Sequence, residues 1–210
     1  MKLIVFGATG GTGKQVVEQA LQAGHQVTVV VRNPAAFPVQ HSQLIIHQGD
    51  VLHPVNFDQV LAGADAVISC LGIHGRKPTT VYSEGIMNVA QAMRKVGITR
   101  IICLSSVGVV VPPRSSLLVK LITKYVLQPL FKYLYEDMRR MEAWLGASDL
   151  RWTVVRPPQL TDSKRTGHYR TTINEPIRNP SKISRADLAH YIVNHITDEK
   201  TVKAWIEISY

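Results

Sequence analysis

The chain is predicted to fold as a single-domain doubly wound α/β structure, a parallel sheet with helices on both faces. Three observations predict it: short, uninterrupted apolar runs alternate with amphipathic segments, the connections between them are short, and a glycine-rich turn joins the first run to the first amphipathic segment. The 210 residues suit one domain spanning positions 1–210, a size at which folding buries roughly 70% of the unfolded surface. Apolar side chains make up 45% and charged ones 19%, with 14 glycines and 11 prolines, which excludes disordered, collagen-like and low-complexity classes.

Residues 2–6 read as a strand buried on both faces, because Leu3, Ile4, Val5 and Phe6 run without alternation until glycine stops them. Residues 12–23 carry Val16, Val17, Ala20 and Leu21 at helical spacing, with Gly24 beyond them as a C-terminal stop. The rhythm continues as strands at 25–31 and 44–47, a helix near 55–61, a strand at 66–70, a helix at about 80–96 and a strand at 101–104. Past Ser106 it loosens. Pro112-Pro113 ends a strand-like run, and a long apolar segment at 117–135 is broken by Lys120, Lys124 and Lys132. Pro129 ends or kinks any helix there, so two short helices with a bend are expected within an irregular, lid-like segment of about 112–136. Burial of its apolar side chains, on the sheet or in a homodimer through 117–135, is preferred over contact with a membrane. A helix at 137–145, a strand at 152–155, a helix at 184–196 opened by the Ser184-x-x-Asp187 capping box and a strand at 204–208 complete the pattern.

The net charge of +9 is unevenly spread: residues 1–60 hold three basic and three acidic side chains, residues 151–210 ten and six. No run reaches the Lys/Arg density of a nucleic-acid patch, so no nucleic-acid partner is expected and an anionic small ligand is the simpler reading. No apolar stretch approaches the about 18 residues needed to span a bilayer, nor the roughly 7 to 15 of a secretory signal. A cytoplasmic protein without a membrane span is therefore expected. Cys70 and Cys103 read as core residues, and eight scattered histidines give no metal-binding spacing.

The strongest chemical signal is Gly7-Ala8-Thr9-Gly10-Gly11-Thr12-Gly13 between the first strand and first helix. Glycines at 7, 10 and 13 allow a tight turn and close approach of backbone to a pyrophosphate, whose charge then meets the helix N-terminus, with the hydroxyls of Thr9 and Thr12 as further donors. Arg32 ends the second strand where NAD-specific sites place an acid. A guanidinium there holds a 2′-phosphate through charge-assisted hydrogen bonds, which favours NADPH/NADP. In Gly49-Asp50-Val51 after the third strand, the Asp50 carboxylate can accept a hydrogen bond from the adenine amino group, and Leu71 and Gly72 after the fourth leave space beside a ribose.

On these residues, together with Pro78-Thr79-Thr80-Val81-Tyr82-Ser83-Glu84-Gly85 and Ile183-Ser184-Arg185-Ala186-Asp187-Leu188-Ala189, the chain resembles the atypical short-chain dehydrogenase/reductase family. Within it the likeness is to the NmrA-like group, and most of all to the flavin reductase/biliverdin IXβ reductase type. The resemblance implies a Rossmann-type fold in which Gly7, Thr9, Gly10, Gly11, Thr12 and Gly13 hold the pyrophosphate and Arg32 the 2′-phosphate. It assigns Asp50 and Val51 to the adenine, Leu71 and Gly72 to the inner ribose, with Ser105 and Pro157 also at the cofactor and Ser106 beside the nicotinamide as the catalytic candidate. Two departures stand out: Gln159 occupies the place of a histidine near the substrate in similar reductases, and residues 112–136 do not match the corresponding segment.

Classical relatives use a Tyr-x-x-x-Lys pair to exchange a proton with a carbonyl substrate. This chain has no such pair; Tyr135-x-x-x-Arg139 comes nearest, and packing is the expected role of Tyr135. Without a dedicated acid, hydride can still pass to a planar, conjugated acceptor such as a flavin, a quinone or a linear tetrapyrrole, with solvent supplying the proton. Gln159 and the loop cations Lys164, Arg165 and Arg170 are candidate contacts to an anionic acceptor of this kind, and His74 could reach the nicotinamide side. The alternative is a non-catalytic NAD(P)(H)-sensing regulator of NmrA-like type, in which an occupied site orders a partner-binding surface.

Overall fold

Leu3, Ile4, Val5 and Phe6 are each at most 3% exposed, so strand β1 (Lys2–Phe6) lies deep in a sheet covered on both faces. The structure is a computed structural model that describes residues 1–73, 75, 77–111 and 116–210, with the backbone alone at Val119. In chain order there follow α1 (Gly11–Gln22), β2 (Gln26–Val31), β3 (Leu44–Gln48), α2 (Phe57–Leu61), β4 (Ala66–Ser69), α3 (Ser83–Lys95) and β5 (Arg100–Leu104). Beyond them lie α4 (Leu117–Ile122), α5 (Gln128–Leu130), α6 (Lys132–Gly146), β6 (Arg151–Arg156), β7 (Gln159–Thr161), β8 (Arg170–Ile173), β9 (Lys182–Ser184), α7 (Arg185–Asn194) and β10 (Ala204–Ser209).

Eight strands form one sheet in the order β3-β2-β1-β4-β5-β6-β10-β8. The chain moves outward from β1 through β2 to β3, then returns across β1 to β4 and continues the other way. That reversal is the topological switch at which doubly wound sheets bind ligands, at the strands' carboxyl ends. Val16, Val17, Leu188 and Ile192 of α1 and α7 bury against one face, while Ile86, Met93, Met141 and Leu145 of α3 and α6 bury against the other. The doubly wound, largely parallel architecture is thus as expected.

Three strands were not expected. β8 pairs antiparallel with β10 at the sheet edge, and β7 and β9 form a separate parallel pair, so the sheet is not wholly parallel. At three or four residues each, with sequences such as Arg-Thr-Thr-Ile, these strands show no apolar run, and pairing with distant partners rather than local propensity forms them. Cys70 and Cys103 are buried in the core as predicted, and burial pushes the Cys70 thiol up to about 12.

The expected bend in the apolar segment is present but its mechanism differs. α4 continues through a π-helical turn, Thr123–Leu127, into the short α5, whose first turn holds Pro129. The path breaks at Phe131 (φ −111°, ψ 26°), and α6 begins there, five residues before the predicted start at 137. Burial of its side chains on the sheet is not met, since Leu117, Leu118, Tyr125 and Val126 are 72, 67, 64 and 54% exposed within the single chain. Among the described residues no helix is long and apolar enough to cross a membrane.

Candidate functional site

Because β1 to β6 run parallel, the residues that follow them emerge at one edge of the sheet. Gly7 and Thr9 follow β1, with Arg32, Asp50 and Val51 on one side and Leu71, Gly72, Ser105, Ser106 and Pro157 on the other. The topology therefore brings the cofactor candidates to the switch point.

The corner itself is shaped by backbone contacts. Gly7 has φ +74°, and a Cβ there would lie 2.3 Å from the Cys70 carbonyl oxygen. A Cβ on Gly13 would lie 2.2 Å from the Gly7 oxygen, so α1 packs against the turn at a distance that only glycine allows. The Gly10 N–H donates to the Gly7 oxygen at 3.1 Å, and the first bond of α1 runs from Lys14 N–H to the Gly10 oxygen at 2.9 Å. The N–H groups of Gly11, Thr12 and Gly13 therefore face outward as unpaired helix donors. No acidic side chain occupies the first turn of α1. That end is positive and fits a diphosphate. Thr9 is exposed beside it, whereas Thr12 is only 7% exposed.

Arg32 is exposed at the end of β2. Asp50 makes a local turn, one carboxylate oxygen accepting the Leu52 N–H at 3.0 Å. Val51 is buried against Gly85 of α3, and its carbonyl accepts from the Asn88 side chain at 2.8 Å. Gly72 has open space where a side chain would stand. Across the switch point, Ser105 donates its N–H to the Val155 oxygen at 2.8 Å, while its buried hydroxyl has no hydrogen-bond partner. A buried hydroxyl without a partner is costly and suits a site completed by a polar ligand. The Pro157 carbonyl accepts from Val107 N–H at 3.1 Å, tying the loop after β6 to the turn that carries Ser106.

The Ser106 hydroxyl accepts from Gly108 N–H at 3.1 Å and is hydrogen-bonded to the Tyr135 hydroxyl. A Cβ on Gly108 would lie 2.3 Å from that hydroxyl, and Tyr135 is 6% exposed. Arg139 donates to the Val109 carbonyl at 2.8 Å. Burial raises the Tyr135 pKa, opposed by the Ser106 hydrogen bond and the Arg139 charge. Tyr135 is packed, as expected, yet its hydroxyl also holds Ser106.

Lys164 and Arg165 line a cavity of about 520 Å³ on the flank of α1, together with Gly11, Lys14 and Arg185. Arg185 lies across Gly11 and donates to the Asp162 carboxylate at 2.7 Å. Arg170 does not join them: its guanidinium binds the carbonyls of Arg178 and Tyr210 at 3.0 and 2.6 Å, fastening β8 to the C-terminus. Gln159 opens β7 and is exposed. His74 lies outside the described residues.

Two carboxylates that position this edge were missed by sequence reasoning. Asp187, expected only as a capping residue, accepts from Thr166 N–H (2.9 Å), Gly167 N–H (2.7 Å), the Thr166 hydroxyl (2.9 Å) and the Tyr210 hydroxyl (2.5 Å). Ser184 caps α7 by accepting the Asp187 N–H at 2.9 Å, so half the predicted capping box forms while the carboxylate holds the basic loop. Asp137, fully buried in α6, accepts the N–H of Tyr82 at 2.9 Å and of Ser83 at 3.4 Å, capping α3 from another helix. Neither pairing has a local spacing that would reveal it.

A positively polarised glycine corner at the switch point of a doubly wound sheet defines a dinucleotide-binding protein. The chain belongs to the NAD(P)H-binding family, whose model matches residues 7–199, and it binds a nicotinamide cofactor. It is 32% identical over 110 residues to the photosystem II assembly factor Ycf39 of a Synechocystis species, a match covering 50% of this chain and only 33% of that longer protein. A candidate NADH-flavin reductase from Streptococcus pneumoniae is similar over 100% of this chain and 99% of its own, with TM-score 0.81 and 26% identity. The NADP complex of a wide-type short-chain dehydrogenase/reductase from Veillonella parvula shares the fold, with TM-score 0.83 at 16% identity over 100% of this chain and 94% of that one.

Proposed function

We infer that the protein is an NADPH-dependent reductase acting on a planar, conjugated acceptor such as a flavin, a biliverdin-like tetrapyrrole or a quinone. The observation that carries this reading is the pairing of a dinucleotide corner with a sealed phenol. Tyr135 is packed against Gly108, and burial moves its ionisation away from neutral pH, so an acceptor that takes its proton from water suits the site better than a simple carbonyl. The nicotinamide would supply hydride, two electrons and one hydrogen nucleus. The glycine corner and the N–H groups of Gly11, Thr12 and Gly13 hold the diphosphate, Arg32 the 2′-phosphate, and Ser105 and Ser106 the nicotinamide side. Lys164 and Arg165 draw anionic groups of the acceptor toward the α1 flank.

Steady-state NADPH oxidation with FMN, FAD, riboflavin, biliverdin and several quinones tests the reading. Turnover with at least one is expected, and none across the panel overturns it. Arg32→Ala is expected to weaken NADPH binding about ten- to hundredfold, the equivalent of one strong charge-assisted hydrogen bond or two, and to leave NADH binding unchanged, as calorimetry would show. Tyr135→Phe is expected to leave the pH profile of turnover unaltered between about pH 6 and 9, because the folded phenol ionises above its ordinary value near 10. Loss of an ionisation from that profile would instead make Tyr135 the proton donor.

A further inference from the structure

The helical path from α4 to α5 is inverted relative to an ordinary surface helix. Among its described side chains Thr123 is the buried one, at 5% exposure, while Leu117, Leu118, Leu121, Ile122, Tyr125 and Val126 are between 43 and 72% exposed. Helices packed on a core place apolar side chains inward, and a contiguous exposed apolar patch marks a contact surface. The charge on this segment is of one sign. Residues 116–135 contain Lys120, Lys124 and Lys132 and no carboxylate, and Glu136 reaches Lys132 only at 4.0 Å. Lys124 and Lys132 lie along the neighbouring rings of Tyr125 and Tyr133, at 5.2 and 5.9 Å from the ring centres. Leucines and isoleucine flanked by tyrosines and lysines are the composition of a helix that rests in a lipid interface, apolar chains in the acyl region and ammonium groups among headgroup phosphates.

We propose that residues 117–133 form a docking surface for an anionic lipid bilayer, on which the protein lies peripherally. A second copy fits the patch less well, since a two-fold contact through it would set the same three ammonium groups against one another with no carboxylate in the segment to offset them. The charge complementarity of three lysines is met by a surface of negative headgroups.

The full-length protein is mixed with sucrose-loaded vesicles of phosphatidylcholine alone or of equimolar phosphatidylcholine and phosphatidylserine, and sedimented. Binding to the anionic vesicles, and little to the neutral ones, is expected, weakening as salt rises. The triple variant K120Q/K124Q/K132Q is expected to lose roughly a hundredfold in partitioning, at about 1 kcal/mol for each lysine near the surface. L121E/V126E should lose it as well while retaining calorimetric NADPH binding, which separates surface loss from misfolding. Equal sedimentation with both vesicle types, or none with either, overturns the proposal without reference to any variant. So does a dimer in light scattering that L121E/V126E converts to monomer.

Discussion

Gly7→Ala is expected to destabilise the protein by about 3 kcal/mol or more and to weaken dinucleotide binding at least tenfold. Two costs combine. The left-handed φ of +74° strains any L side chain by about 1 to 2 kcal/mol, and the new Cβ would stand 2.3 Å from the Cys70 carbonyl oxygen and 2.7 Å from the Leu71 nitrogen. Those atoms are backbone of the strand end beside β1 and cannot rotate away, so β1 and β4 must separate locally, an overpacking cost of about 1 to 3 kcal/mol. The Gly7 oxygen also receives the Gly10 N–H, and its displacement moves the start of α1, where the phosphate donors lie. Gly24→Ala is the matched control. Its φ is +79° with nothing within 4 Å of the added Cβ, so it should show the strain alone, about 1 to 2 kcal/mol, with unchanged affinity. Urea denaturation and calorimetry on the two variants separate strain from overlap.

Asp187→Ala is expected to cost about 3 kcal/mol or more and to release the 162–167 loop, because the buried carboxylate receives two backbone N–H groups and the hydroxyls of Thr166 and Tyr210. Burial alone would raise its pKa, but the hydrogen bonds from Tyr210, Gly167 and Thr166 outweigh it and hold the group below the ordinary carboxylate value. A depressed folded pKa contributes stability that is fully present above the unfolded value near about 4 and is lost as pH falls through the folded one. The wild-type protein should therefore lose stability on acidification below about pH 4, and Asp187→Asn should flatten that limb of a urea-midpoint profile. Limited proteolysis at Lys164 and Arg165 should accelerate in the alanine variant. An unchanged acid limb would show that the network does not supply this stability.

Much of the fold was legible because its signals are local. Runs such as Leu3 to Phe6 and Ala66 to Ile68 have no polar alternation, as strands with two buried faces require, and Gly7 to Gly13 combine turn, close approach and helix start in seven residues. The rest depends on partners far along the chain. β8 exists because Thr172 and Ile173 face Glu207 and Ile206 across the edge, and Asp137 caps a helix that begins at Ser83. The apolar segment was legible in its residue types but not in its orientation: within the single chain Thr123, in the π-turn, is buried, while Leu117, Leu118 and Leu121 of α4 are exposed. In the site, the tight glycine corner and the place of Arg32 at the end of β2 were readable from motif and spacing. The contact of Tyr135 with Ser106 and the loop-holding role of Asp187 follow from tertiary packing alone.

On the proposed reading, the corner after β1 binds a dinucleotide's phosphates and Arg32 selects the phosphorylated form. Isothermal titration of folded protein with NADPH and NADH tests it most directly. Saturable heat with NADPH, tighter than with NADH by the margin that Arg32→Ala abolishes, is the predicted result; no heat with either dinucleotide would contradict it.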